Sequence, residues 1–175
     1  MLSLFRRTLR IQSPSLGLLD LTGGNASAAL AVDKGAFAAL FDSLVESAAE
    51  VPPCNVLFVY CYIEADGSIR GCSKGIRELI HDSGAAVAVI ATDNPGKNYI
   101  AATKRSSYGK ANLVMTLNRK SDIFSQFFQR LFSEMKRGVS MPVAWNKLAP
   151  QIPGGAHTDC PDTIFACELG QLAFS

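Results

Sequence analysis

Apolar residues along this chain gather into short unbroken runs, and the runs predict strands. LGLLDLT (16–22) is one such run, ending in Gly23-Gly24-Asn25, and it reads as a buried strand leading into a turn. NVLFVYCY (55–62) is the clearest, continuous in apolar residues and therefore expected to be covered on both faces. ADG (65–67) turns the chain, and Gly84 admits a further apolar strand, AAVAVIAT (85–92). NYIAATKR (98–105) and ANLVMTL (111–117), joined by SSYGK, read as a hairpin or as a helix followed by a strand, with the second strand the firmer of the two. TIFACEL (163–169) is the last predicted strand, after a loop holding Pro150, Pro153, Gly154 and Gly155.

Between the runs the apolar spacing changes to that of a helix. Lys34–Glu50 puts Phe37, Leu40, Phe41, Leu44 and Val45 on one face, with Asp33 to cap the start and Pro52-Pro53 to stop it. Ser73–His81 reads as a short helix. Ser121 is expected to cap a long one, DIFSQFFQRLFSEMKR, with a wide phenylalanine-rich face and Gly138 at its end. Ser140 and Pro142 begin a last short helix through Leu148, whose Trp145 is expected to pack on the sheet. Apolar strands alternating with helices predict a parallel sheet covered on both sides, a three-layer α/β sandwich of Rossmann-like type.

Composition agrees with one folded unit. The chain has 175 residues, 48% hydrophobic and 18% charged, enough to bury a core in a single domain over 16–175. No window is long and apolar enough to predict a membrane-spanning helix. The net charge of +2 conceals bands. Residues 1–19 carry three arginines and no acid, residues 20–96 four basic and ten acidic side chains, and residues 97–137 nine basic and two acidic. Residues 1–15 form a basic arm. Its opening MLSLFRRTLRIQS suits a mitochondrial targeting segment, and the alternative is an ordinary first strand with Leu9 and Ile11 alternating against Arg10 and Gln12.

Candidate chemistry is sparse. In an open parallel sheet, sites collect at the carboxyl ends of the strands. There the sequence offers Gly23, Gly24, Asn25 and Ser27, then Cys61 and Glu64, then Thr92, Asp93 and Asn94. Gly23-Gly24 can present amides to an anion but carries no phosphate-loop pattern, so a small-ligand or nucleotide site using Gly23, Gly24, Asn25 and Asp93 is an alternative only. The five cysteines have no zinc-ribbon spacing and read as reduced thiols; neither metal nor cofactor is called for. The 97–137 band, with Tyr99 and Tyr108 among its lysines and arginines, can meet anionic lipid or nucleic acid, or simply be solvated or face an acidic subunit.

The order LLDLTGG, helix, NVLFVYC, then ADGSIRGCSKGIRELIHDSGAAVAVIAT resembles the caspase-like CHAT peptidase domains. FFQRLFSEMKRGVSMPVAWNKLA and PDTIFACELG are similar to that family's long helix and final strand. The resemblance spans roughly residues 16–170 and implies a caspase-like fold with Cys61 where the family's nucleophile lies. It also implies a histidine at the end of the first strand, where this chain has Gly23 and Gly24. A nucleophilic thiol needs a base within about 3 Å. His81 is expected at the opposite end of the sheet from Cys61. His157 is expected there too unless the last strand runs antiparallel. The favoured function is therefore a non-catalytic accessory or interaction subunit of a larger assembly, mitochondrial if the leader is one and otherwise cytoplasmic. The alternative is a cysteine peptidase using Cys61 and His157.

Overall fold

The computed structural model describes residues 7–104, 109–149 and 159–175. Eight strands are present among these: β1 (Leu9–Ile11), β2 (Ser15–Asp20), β3 (Ser43–Ser47), β4 (Val56–Tyr60), β5 (Val87–Ile90), β6 (Asn112–Asn118), β7 (Asp162–Cys167) and β8 (Leu172–Phe174). Five helices join them: α1 (Ser27–Phe37), α2 (Ile76–Ser83), α3 (Asn98–Ala102), α4 (Asp122–Lys136) and α5 (Met141–Leu148). Six strands form one sheet in the order β3-β2-β4-β5-β6-β7, all parallel except β7. β1 and β8 form a separate parallel pair.

The sheet has a core on each side, which makes the three-layer α/β sandwich. Alternation along β4 divides its residues between them. Val56, Phe58 and Tyr60 face α1, α4 and α5, whereas Leu57, Val59 and Cys61 face α2 and α3. Phe58 is the hub of the first core, with ring centroids 5.0 Å from Phe37 and 5.3 Å from Phe128. Trp145 does pack α5 against the sheet, stacking on Phe165 of β7 at 4.5 Å.

The stretch expected as one helix over 34–50 is the main correction. α1 begins earlier, at Ser27, and stops at Phe37; a 3-10 turn over Ala38–Leu40 follows, and Ser43–Ser47 is strand β3. Asp33 is therefore a mid-helix residue rather than a cap. Helical spacing over Leu40, Phe41 and Leu44 loses to pairing, because β3 fills the ladder beside β2 from Ser15↔Ser43 to Leu19↔Ser47. The ambiguous stretch at 98–117 is helix α3 followed by strand β6. Ser121 does sit at the N-cap of α4, but with φ of 50° and no side-chain cap bond.

The amino-terminal arm enters the fold at Leu9. β1 pairs with β8 from Leu9↔Leu172 to Ile11↔Phe174, and Ser175 N donates to Ile11 O at 3.0 Å. The two ends of the described chain thus close over α4, where the Phe174 ring lies 6.1 Å from that of Phe132. Residues 1–6, the apolar start of the expected targeting segment, lie outside the described residues.

Candidate functional site

β2 leads through α1 to β3 on its left, while β4 leads through α2 to β5 on its right, and the two helices lie on opposite faces. β2 and β4 stay paired to their carboxyl ends, where Leu21 N donates to Tyr60 O at 2.8 Å, and the chain then leaves them toward opposite faces, the place where open α/β sheets form a crevice. A cleft of about 420 Å³ opens there, lined by Asp20, Thr22, Gly23, Asn25, Tyr62 and Arg70, among others.

Hydrogen bonds hold the β2–α1 turn from within. Asp20 Oδ1 accepts from Thr22 N at 2.8 Å and from Thr22 Oγ1 at 2.6 Å. Thr22 Oγ1 accepts from Ala26 N at 2.9 Å, and Asn25 Nδ2 donates to Thr22 O at 3.0 Å. Gly23 and Gly24 take φ of 68° and 93°, the left-handed backbone that glycine adopts at least cost. Across the cleft, Arg70 Nε donates to Glu64 Oε1 at 2.6 Å and its guanidinium lies 5.4 Å from the Tyr62 ring centre. Gly23 and Asn25 thus share one cleft. Asp93 is not among the residues lining it: it follows β5 and accepts from Arg119 N at 2.8 Å.

Cys61 follows β4 directly and is fully buried. Its amide donates to Thr92 Oγ1 at 3.2 Å, and its carbonyl accepts from Thr92 Oγ1 and from Asn94 Nδ2. Ile63 N donates to Asn94 Oδ1 at 2.7 Å, so the backbone beyond β4 is fixed by residues from the end of β5. The thiol itself packs in the apolar core under α2. Burial, with a smaller contribution from Cys72, pushes it up to about 12. A thiol in that range is almost wholly protonated at neutral pH and is a poor nucleophile.

His81 lies in the last turn of α2. That helix ends where Ser83 O accepts from Cys54 N, just before β4 begins. His81 therefore sits at the amino edge of the sheet, about a strand length of 17 Å from Cys61. His157 lies outside the described residues. The antiparallel direction of β7 starts that strand, at Asp162, beside Asn118 on the carboxyl edge. Three strand spacings, roughly 14 Å, separate β7 from β4.

One polar constellation escaped the sequence reading. Asp33 has no exposed surface and accepts from Tyr60 Oη at 2.7 Å, Ser125 Oγ at 2.7 Å and both terminal nitrogens of Arg119. Arg119 also donates to Ala91 O at 2.6 Å and lies 3.9 Å from the Phe124 ring centre. The signal was present as Leu30, Asp33 and Phe37, one stripe of a helix that starts at Ser27. Placing the helix start at Lys34 hid it.

Some ion pairs join one charge band to another, whereas Lys34–Glu46, Arg70–Glu64 and Lys74–Asp82 stay within the 20–96 band. Arg119 meets Asp33, Lys120 meets Asp162 at 2.8 Å, and Arg77 forms a two-pronged contact with Glu168 at 2.6 and 2.7 Å. Lys97, Lys104, Lys110 and Lys136 stay exposed. Arg105 and Tyr108 lie outside the described residues. Among the described residues no cluster of His, Cys, Asp or Glu is arranged to hold a metal, and no helix is long and apolar enough to cross a membrane. The sequence matches no known family model and no curated protein.

Proposed function

We propose that the chain is a non-catalytic α/β subunit that works by docking other proteins. The observation that carries this reading is Cys61: the thiol that a caspase-like scaffold would use is sealed in the core and held protonated up to about 12. The neighbouring strand ends in a glycine turn whose polar groups are engaged with one another, not with Cys61. A scaffold of this kind keeps its surface and loses its chemistry. The leader-like arm favours a mitochondrial setting, which import of a reporter fused to residues 1–20 tests; retention in the cytoplasm overturns it.

The test has two readings. Iodoacetamide at neutral pH should leave Cys61 of the folded chain intact while it modifies the exposed Cys167. In native cell extracts the tagged chain should run in a particle well above twice its 18.7 kDa. Fast alkylation of Cys61, with peptide cleavage that Cys61→Ala abolishes, overturns the first part. A native mass no larger than the chain or its own dimer overturns the second.

A peptidase reading keeps one specific observation in its favour: β7 runs antiparallel, so the chain enters it from the carboxyl edge that Cys61 occupies. The same Cys61→Ala comparison decides it, and His157→Ala must then fail equally.

A further inference from the structure

The sheet ends on the left in β3, which among the described strands pairs only with β2. An edge strand carries unpaired amides and carbonyls that template another strand unless charge, proline or a bulge blocks them. β3 has little of this protection. Its sequence is SLVES, Val45 is 46% exposed, and the one charged side chain, Glu46, is paired with Lys34 of α1 at 3.0 Å. Leu44 and Glu46 share the face toward α1, and Val45 points to the other.

We infer that β3 is a self-association edge, pairing antiparallel with β3 of a second copy about a two-fold axis through Val45. The sequence selects both the partner and the register. A two-fold perpendicular to the sheet keeps equivalent faces together, so residues of the same parity must stand opposite each other. Centred on Val45, the strand pairs along its whole length: Ser43 with Ser47 of the second copy, Leu44 with Glu46, and Val45 with itself. Beyond the strand, Asp42 falls opposite Ala48. No acidic residue faces another. Centring on Glu46 sets Glu46 against itself, and centring on Leu44 sets Asp42 against Glu46, both of which are like charges directly opposed.

Charge and shape agree in this register. Each copy brings one Lys34–Glu46 pair to the α1 side, and the two pairs lie on opposite sides of the axis, each beside a Leu44 of the other strand. On the opposite face the two exposed valines form the β-branched contact that antiparallel pairs favour. Two six-stranded sheets then become one continuous sheet, and each loses an exposed edge. The inference is independent of whether Cys61 is reactive.

Sedimentation equilibrium of the full chain tests it, with twice 18.7 kDa as the expected mass. Val45→Lys puts two like charges on the axis and should return the mass to that of one chain; Val45→Thr should leave it doubled. Ile164→Lys, on the β7 edge, should also leave it doubled. In a Cys72→Ser, Cys167→Ser background, Val45→Cys should be linked between two chains by a short bis-maleimide, because residues directly opposed have Cβ atoms about 5 Å apart, within reach of that spacer. A wild-type chain that is monomeric throughout overturns the inference. So does a dimer that survives Val45→Lys, one lost with Ile164→Lys, or a Val45→Cys chain that fails to link.

Discussion

Arg119 Nη2 donates to Asp33 Oδ1 at 2.9 Å, joining the end of β6 to the middle of α1 across the first core. The carboxylate has no exposed surface and the guanidinium side chain only 15%. Breaking a buried pair by removing one partner costs about 3–5 kcal/mol, because the other charge is left without compensation. Asp33→Asn should therefore lower stability by about 3 kcal/mol in urea titration, since Arg119 retains some contact with water. Replacing both charges, as in Asp33→Leu with Arg119→Met, should cost less than the two single changes summed. An additive result would show that the residues do not act as a pair.

Arg77 and Glu168 make the comparable link between α2 and β7. Burial works to raise the Glu168 carboxyl, but the Arg77 hydrogen bonds and charge outweigh it and hold the group below the usual range. Arg77 is correspondingly raised, chiefly by its bond to Glu168. A carboxylate with a depressed folded pKa stabilises above its unfolded value and loses that stabilisation as pH falls through the folded one. Stability should thus decline as pH drops below about 4.3, the ordinary glutamate value. Glu168→Gln should flatten part of that decline and lower stability at neutral pH. An unchanged slope in the variant would remove Glu168 from the explanation.

The pair also shows where sequence reading stops. The apolar runs at 16–22, 55–62 and 85–92 were legible as strands because each is buried on both faces, and burial on both faces removes polar residues. SLVES was not, since an edge strand is half solvated and carries no such signature. Its own Leu44 and the preceding Leu40 and Phe41 happen to fall at helical spacing, and only the open ladder of β2 decides against a helix. Cys61 was placed correctly at a strand end, but neither its depth nor the direction of its thiol can be read from a linear pattern. Long-range charge pairs such as Asp33 with Arg119 are invisible for the same reason: they depend on which helix stripe faces which strand.

Two glycines with similar backbone angles should respond very differently to substitution. Gly23 has φ of 68° and open space where a Cβ would stand. Gly67 has φ of 88°, and a Cβ there would come within 2.4 Å of the Ala101 carbonyl carbon in α3. Gly23→Ala meets only the left-handed backbone cost, roughly 1–2 kcal/mol. Gly67→Ala adds overpacking against a backbone that cannot rotate away, about 1–3 kcal/mol more. Chemical denaturation should rank Gly67→Ala clearly below Gly23→Ala; equal losses would mean that the turn at 65–67 moves off α3 freely.

Phe174 makes the joined ends of the chain part of the core. Its ring lies 5.8 Å from Phe41 and 6.1 Å from Phe132, and its strand holds Leu9–Ile11 by backbone pairing. A buried phenylalanine truncated to alanine typically costs 3–5 kcal/mol, transfer and cavity together. Phe174→Ala should cost about as much, although the residue is the last but one of the chain. It should also release β1, because the face of β8 that packs on α4 is then lost. Hydrogen exchange is the sharper readout: the Leu9 amide, which donates to Gln171 O at 2.8 Å, should lose protection in the variant before the amides of β4 do. Protection of Leu9 that outlasts the substitution would show that β1 is held by something other than its pairing with β8.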